Sequence, residues 1–188
     1  MAELNLDPAI HRLRGRLGNF VYKQRGDRKY IAKRPSSPTG TPSAAQQAVR
    51  DKFKRAANYG RSVMADPLAK AFYAAIAEAR QTPLFSVCVE DYFKAPTVNA
   101  VDLSGYNGNI GEKIMIEATD DCEVKSVVVE ISTANGGVVE TNPAVLSQAN
   151  PGFWEYTATA DATGNGQISV KVTASDRPGN KTTRTETK

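Results

Sequence analysis

Two contrasting halves predict an α+β N-terminal module, a basic β-hairpin plus two antiparallel helices, followed by an all-β immunoglobulin-like sandwich. Three observations carry that reading. Residues 1–98 hold 17 Lys and Arg against 8 Asp and Glu, a net +9, whereas the remaining residues hold 7 against 12, a net −5. Apolar residues at helical spacing occur only in the first half. Short alternating runs bounded by Gly, Asn, Asp and Pro fill the second, recurring about every ten residues. The boundary is read at residues 95/96, within Lys94-Ala95-Pro96-Thr97, giving a basic assembly module over 1–95 and a sandwich over 96–188.

The hairpin rests on Phe20-Val21-Tyr22-Lys23-Gln24 and Arg28-Lys29-Tyr30-Ile31-Ala32-Lys33-Arg34, aromatic and β-branched runs flanking Arg25-Gly26-Asp27. The stretch Pro35 to Pro42 contains three prolines and reads as an extended connector, because each removes a donor and restricts its predecessor. Thr41-Pro42 then signals a helix start, with Ala45, Val49, Phe53, Ala56 and Val63 as its buried stripe and Arg50, Lys52, Lys54, Arg55 and Arg61 on its other faces. Asp66-Pro67 repeats the signal, and Leu68, Phe72, Ile76 and Ala79 mark a second stripe ending near Arg80. Phe85, Val87 and Val89 alternate with Ser86, Cys88 and Glu90, which predicts a strand. Seven further strands are expected near 97–103, 113–119, 124–132, 137–141, 152–160, 167–175 and 181–187. Their core stripes are Ile114, Ile116 and Ala118; Val127, Val129 and Ile131; and Ile168, Val170, Val172 and Ala174, with a hairpin turn at Asn135-Gly136-Gly137.

Composition narrows the function classes. One histidine, His11, and two cysteines, Cys88 and Cys122, leave almost nothing for a His-based triad or a Cys/His zinc cage, so the expectation is no catalytic residue, no cofactor and no resident metal. No run approaches the ~18 apolar residues of a membrane span, and the N-terminus lacks the pattern of a Sec signal. The two cysteines fall in different modules on this reading, as free thiols suited to a reducing compartment. Glu117, Asp120, Asp121 and Asp176, with Asn180 nearby, offer oxygen ligands for calcium at one end of the sandwich. Their spacing is not that of an EF-hand, and the same residue types are the ordinary material of strand-connecting turns. Trp154 and Tyr156 alternate with Glu155 and are read as core, and Arg25-Gly26-Asp27 as turn material rather than an adhesive tripeptide.

In the second half, Ala118-Thr119-Asp120-Asp121, Val124 to Val129, Trp154-Glu155-Tyr156 and the closing Ala174-Ser175-Asp176-Arg177-Pro178-Gly179-Asn180 resemble bacterial Ig-like domains of surface and phage proteins. That resemblance implies a sandwich used for spacing, adhesion or assembly, without the Cys-Trp-Cys arrangement of antibody-type domains. In the first half, Gly15-x-Leu17-Gly18, Arg25-Gly26, Tyr30 to Pro35, Thr41-Pro42, Gln46, Arg50 and Phe53 are similar to an uncharacterised family associated with Bacteroidetes and phages, which implies a particle rather than a mechanism.

The strongest physical signal is basic. Thirteen Lys and Arg lie between Arg12 and Arg55 against two Asp. Arg12, Arg14, Arg16, Lys23, Arg25, Arg28, Lys29, Lys33, Arg34, Arg50, Lys54 and Arg55 are therefore the candidate interaction residues. The expected function is a non-enzymatic structural or assembly protein, a homo-oligomer or particle component that displays its Ig-like half, synthesised in the cytoplasm and carried into a virion or extracellular particle. The alternative is nucleic-acid binding through the hairpin and first helix, with Tyr22, Tyr30 and Tyr59 stacking on bases.

Overall fold

The computed structural model describes residues 2–3, 15–25, 28–36, 40–164 and 166–188. It divides into two compact units, Met1–Ala45 and Gln46–Lys188. The three helices therefore group with the C-terminal strands, whereas composition and charge place a boundary at 95/96.

The first unit is an antiparallel sheet in the order β1-β4-β3-β2, from β1 (Ala2–Glu3), β2 (Gly15–Leu17), β3 (Phe20–Arg25) and β4 (Arg28–Lys33). The expected hairpin is its centre, with Phe20 opposite Lys33 and Tyr22 opposite Ile31. Strands on both flanks enlarge it beyond a lone hairpin. His11, Arg12, Arg14, Gly26, Asp27 and the connector residues 37–39 lie outside the described residues, and of Arg25 and Arg28 only the backbone is described.

In the second unit, three helices precede the strands: α1 (Ala44–Ala65), α2 (Pro67–Ala79) and α3 (Leu84–Phe93). Asp66 caps α2 as its sequence predicts, its Oδ1 accepting from the amides of Leu68 at 2.9 Å and Ala69 at 3.3 Å. The strand expected at 85–89 is instead α3. Its alternation was too short to separate the two periods, whereas Leu84, Val87, Cys88 and Asp91 recur at three and four residues and turn one helical face inward. The two predicted stripes also need correction. Ala56 and Val63 of α1 are buried, but Val49 is 66 % and Phe53 55 % exposed. In α2, Tyr73 and Ala77 are buried while Leu68 is 85 % exposed, so the inward face is rotated by one residue. The helices meet around Val63, Tyr73, Ala77, Val87 and Cys88. Gly60 allows the approach of α1 to α3, since a Cβ there would lie 2.8 Å from the Phe85 ring.

The remaining strands are β5 (Thr97–Asp102), β6 (Lys113–Thr119), β7 (Ser126–Thr133), β8 (Val138–Pro143), β9 (Val145–Leu146), β10 (Phe153–Thr157), β11 (Ile168–Ser175) and β12 (Lys181–Thr187). They form two four-stranded antiparallel sheets, β5-β6-β10-β9 and β12-β11-β7-β8. The three predicted stripes on β6, β7 and β11 are buried together with Val98, Tyr106 and Tyr156 in one shared core, which makes this half a β-sandwich. Seven strands match expectation within three residues, and β9 is the addition. Gly136 adopts φ +81° in the β7–β8 turn, the left-handed conformation for which a glycine is suited.

Candidate functional site

At one end of the sandwich, the β6–β7 loop and the β11–β12 turn receive the C-terminus of α3. Asp176 organises the turn: its Oδ1 accepts from the amides of Gly179 at 2.8 Å and Asn180 at 2.6 Å, and Gly179 sits at φ +94°. Asn180 then reaches outward. Its side-chain amide donates to Asp176 Oδ2 at 2.7 Å and to the carbonyls of Lys94 at 2.9 Å and Tyr92 at 3.3 Å, closing carbonyls that the end of a helix leaves unpaired. Thus the Asp-x-x-Gly-Asn stretch forms the dock for α3. Arg177, in the same turn, stacks its guanidinium 3.9 Å from the Phe72 ring of α2 and donates to Glu123 at 2.5 Å.

The docked helix brings Asp91 to the acidic loop. Asp91 is 1 % exposed, and its Oδ2 accepts from the Tyr73 hydroxyl, which in turn accepts from Tyr59 at 2.7 Å. Its Oδ1 has no hydrogen-bond partner. Asp120 Oδ2 accepts from the amides of Cys122 and Glu123, both at 3.0 Å, while its Oδ1 is likewise unpartnered. Oxygens of Asp91, Asp120 and Asp176 lie within 4.8 Å of one another. A second set within the same limit joins Asp91 and Asp121 to the Cys122 sulfur. Asp121 faces cations: Lys94 Nζ at 3.1 Å and Arg80 at 3.8 Å. An open hollow of about 380 Å³, lined by Lys94, Ala95, Thr97, Thr119, Asp120 and Asp121, leads to this corner.

Burial raises the Asp91 pKa from 3.8 to about 6; the neighbouring Asp120, Asp121 and Asp176 carboxylates push the same way, and the Tyr73 hydrogen bond opposes them. Asp176 is also raised, chiefly by burial and against its hydrogen bonds to Asn180 and Gly179. The Cys122 thiol is pushed up to about 12, first by burial and then by Asp91 and Asp121, and the Cys88 thiol to about 11 by burial and Asp91. Contrary to the sequence reading, the two cysteines share one neighbourhood, Cys122 packing against the helical cluster that contains Cys88.

Of the calcium candidates in the sequence, Asp120, Asp121, Asp176 and Asn180 converge here. Glu117 does not: it lies on β6 and accepts from Asn99 at 3.4 Å. Asp91, Tyr73 and Lys94 were not anticipated, because Asp91 was placed beside a strand and Tyr73 off its helix's buried stripe. The three-and-four spacing from Leu84 to Asp91 was the available signal. Among the basic candidates, Arg16, Lys23, Lys33, Arg34, Arg50, Lys54 and Arg55 are exposed and Lys29 is half-buried. Strand register places Lys29 and Lys33 on one face of the first sheet with Leu17, Phe20, Tyr22 and Ile31, and Arg16 and Lys23 on the other with Val21, Tyr30 and Ala32. Tyr59 is engaged with Tyr73. Tyr156 is core, and Trp154 is half-buried against it.

No family model matches the chain, and no curated protein does. Among solved structures it is similar to CopC from Methylosinus trichosporium OB3b, at 14% identity and a TM-score of 0.36, over 49% of this chain and 89% of that one. It is also similar to a tetra-tandem repeat in the extending region of a large adhesion protein, at 18% identity and a TM-score of 0.34, over 50% of this chain and 22% of that one. The two packed antiparallel sheets with their common core themselves define the C-terminal half as a β-sandwich.

Proposed function

We propose that the chain is a non-enzymatic structural protein that oligomerises through its basic N-terminal region and displays an Ig-like domain. In this reading it is a component of a phage, a phage-like injection system or a surface filament. The observation that carries the proposal is the first part of α1: residues 46–55 are exposed throughout, with Val49 on the surface beside Arg50, Lys54 and Arg55, and with Phe53 still 55 % exposed although its ring meets Phe93 of α3 at 6.5 Å between centroids. A helix segment with an apolar stripe normally gains its stability by burying that stripe, so a surface stripe on an ordered helix fits a subunit contact. The opposite net charges of the two halves supply complementary surfaces for neighbouring copies.

Light scattering on the full-length protein at low and high salt, with absorbance recorded for nucleic acid, tests the proposal. A defined oligomer free of nucleic acid is expected. Replacing Arg50, Lys54 and Arg55 together by Glu should dissociate it while the sandwich stays folded. A strict monomer at every salt concentration would sink the assembly reading, and a monomer that sheds nucleic acid as salt rises would turn the same residues into a nucleic-acid face.

A further inference from the structure

We infer that Asp91, Asp120 and Asp176 form a binding site for one hard divalent cation, calcium above all, at the junction of α3 with the β6–β7 loop and the β11–β12 turn. The carboxylates come from three separate elements, and their oxygens converge within 4.8 Å of one another. That span is about twice a calcium–oxygen distance of about 2.4 Å, so one ion can be shared by all three, whereas magnesium demands shorter bonds of about 2.0–2.1 Å.

The buried member of the trio points to a ligand independently of the cluster. Asp91 is 1 % exposed, yet only one of its oxygens meets a strong donor, Tyr73; the other makes no hydrogen bond of ordinary geometry and has the Cys122 thiol, a weak donor, in its neighbourhood. An unpaired carboxylate oxygen at that depth is costly unless a donor or a cation meets it. Asp120 repeats the pattern, one oxygen held by two loop amides and the other unpartnered. Among the described residues none of the three makes an ion pair. The basic side chains that reach this corner are engaged elsewhere: Lys94 and Arg80 with Asp121, and Arg177 with Glu123. Three neighbouring negative charges are thus held in place by hydrogen bonds without a counter-charge, and a divalent ion supplies it.

The alternative donor set, Asp91, Asp121 and Cys122, has two oxygens beside one sulfur, and its Asp121 is already engaged by Lys94 and Arg80, so the all-oxygen trio is the set that suits a hard cation. An open hollow lined in part by Asp120 lies beside the trio.

The test uses the full chain, stripped of metal by a chelator and then titrated with calcium chloride, followed by native mass spectrometry, calorimetry and thermal unfolding. One calcium per chain is expected, with the unfolding midpoint rising by about 5–10 °C at a hundredfold excess over Kd. Asp176 also shapes its turn, so Asp91→Asn and Asp120→Asn are the informative variants; each should keep the wild-type circular dichroism spectrum and bind calcium at least about tenfold more weakly. No mass shift and no thermal shift with calcium, magnesium or manganese up to about 1 mM, the weak end of protein calcium sites, overturns the inference. So does calcium affinity unchanged in both folded variants, or a response to zinc alone that Cys122→Ser abolishes.

Discussion

Replacing Asn180 by Ala removes one side-chain amide that ties a strand turn to a helix end more than 80 residues away in sequence. Its bond to the buried Asp176 carboxylate, 2.7 Å, belongs to the charge-assisted class, worth about 1.5–3 kcal/mol. Its bonds to the Lys94 and Tyr92 carbonyls share the second N–H and add about 0.5–1.5 kcal/mol. The expected loss is therefore about 2–4 kcal/mol, equivalent to about 6–12 °C in Tm for a unit of this size. Thermal and urea unfolding followed by circular dichroism measure it, and limited proteolysis reads where the structure opens. Cleavage should accelerate between residues 80 and 100, where α3 loses its dock. A midpoint unchanged from wild type, with the same proteolytic pattern, would refute the claim that this amide holds the helices to the sandwich.

Other perturbations follow from the same geometry. Gly179→Ala places a Cβ at φ +94° and should cost about 1–2 kcal/mol, read as a lower denaturation midpoint. Glu140 is buried and accepts from the Thr159 amide at 3.0 Å, from its hydroxyl, and from the Ala160 amide at 3.2 Å; Glu140→Ala should destabilise by about 2–4 kcal/mol in chemical denaturation. The half-buried Glu112 is held down to about 2, chiefly by the amide of Asn107 and by Asn109, against an ordinary 4.5. Its contribution is thus fully present above pH 4.5 and is lost as pH falls towards 2. Nuclear magnetic resonance should show Glu112 titrating near pH 2, with the 107–112 loop losing amide protection over that range, and Glu112→Gln should remove this dependence.

The sandwich was legible because its strands keep one face inward. Ile114, Ile116 and Ala118 alternate with residues that stay at least partly accessible, and a period of two survives reading without any knowledge of the partner strand. Helix faces were harder. Tyr73 lies inward because Asp91 and Tyr59 meet its hydroxyl, a contact that no local spacing announces. Val49 and Phe53 form a regular stripe with Ala45, but regular spacing says only that residues share a side and not that anything covers it. The loop acids Asp120, Asp121 and Asp176 were visible as a group from their turn-like surroundings. Asp91 was hidden by a six-residue alternation that fits either period, so the buried member of the cluster emerged only with the helix. The Asp-x-x-Gly-Asn stretch was noticed as a resemblance; its work as a dock depends on partners distant in sequence.

Helix α1 is held mainly through its C-terminal part, with Phe53 and Lys52 against the Phe93 ring of α3 as a lighter, outer contact. Ala56, Gly60 and Val63 grip the helical cluster, while residues 46–55 extend for about 15 Å along the axis with exposed surfaces. Mechanically this is a cantilever, and its root is the close seat of Gly60 against Phe85. A tilt of about 10° at that root displaces the far end, about 21 Å away along the axis, by roughly 3.6 Å. In the assembly proposed above, enlarging residue 60 would therefore act on the angle between neighbouring copies rather than on the contact itself, changing the pitch while leaving the contacting residues intact.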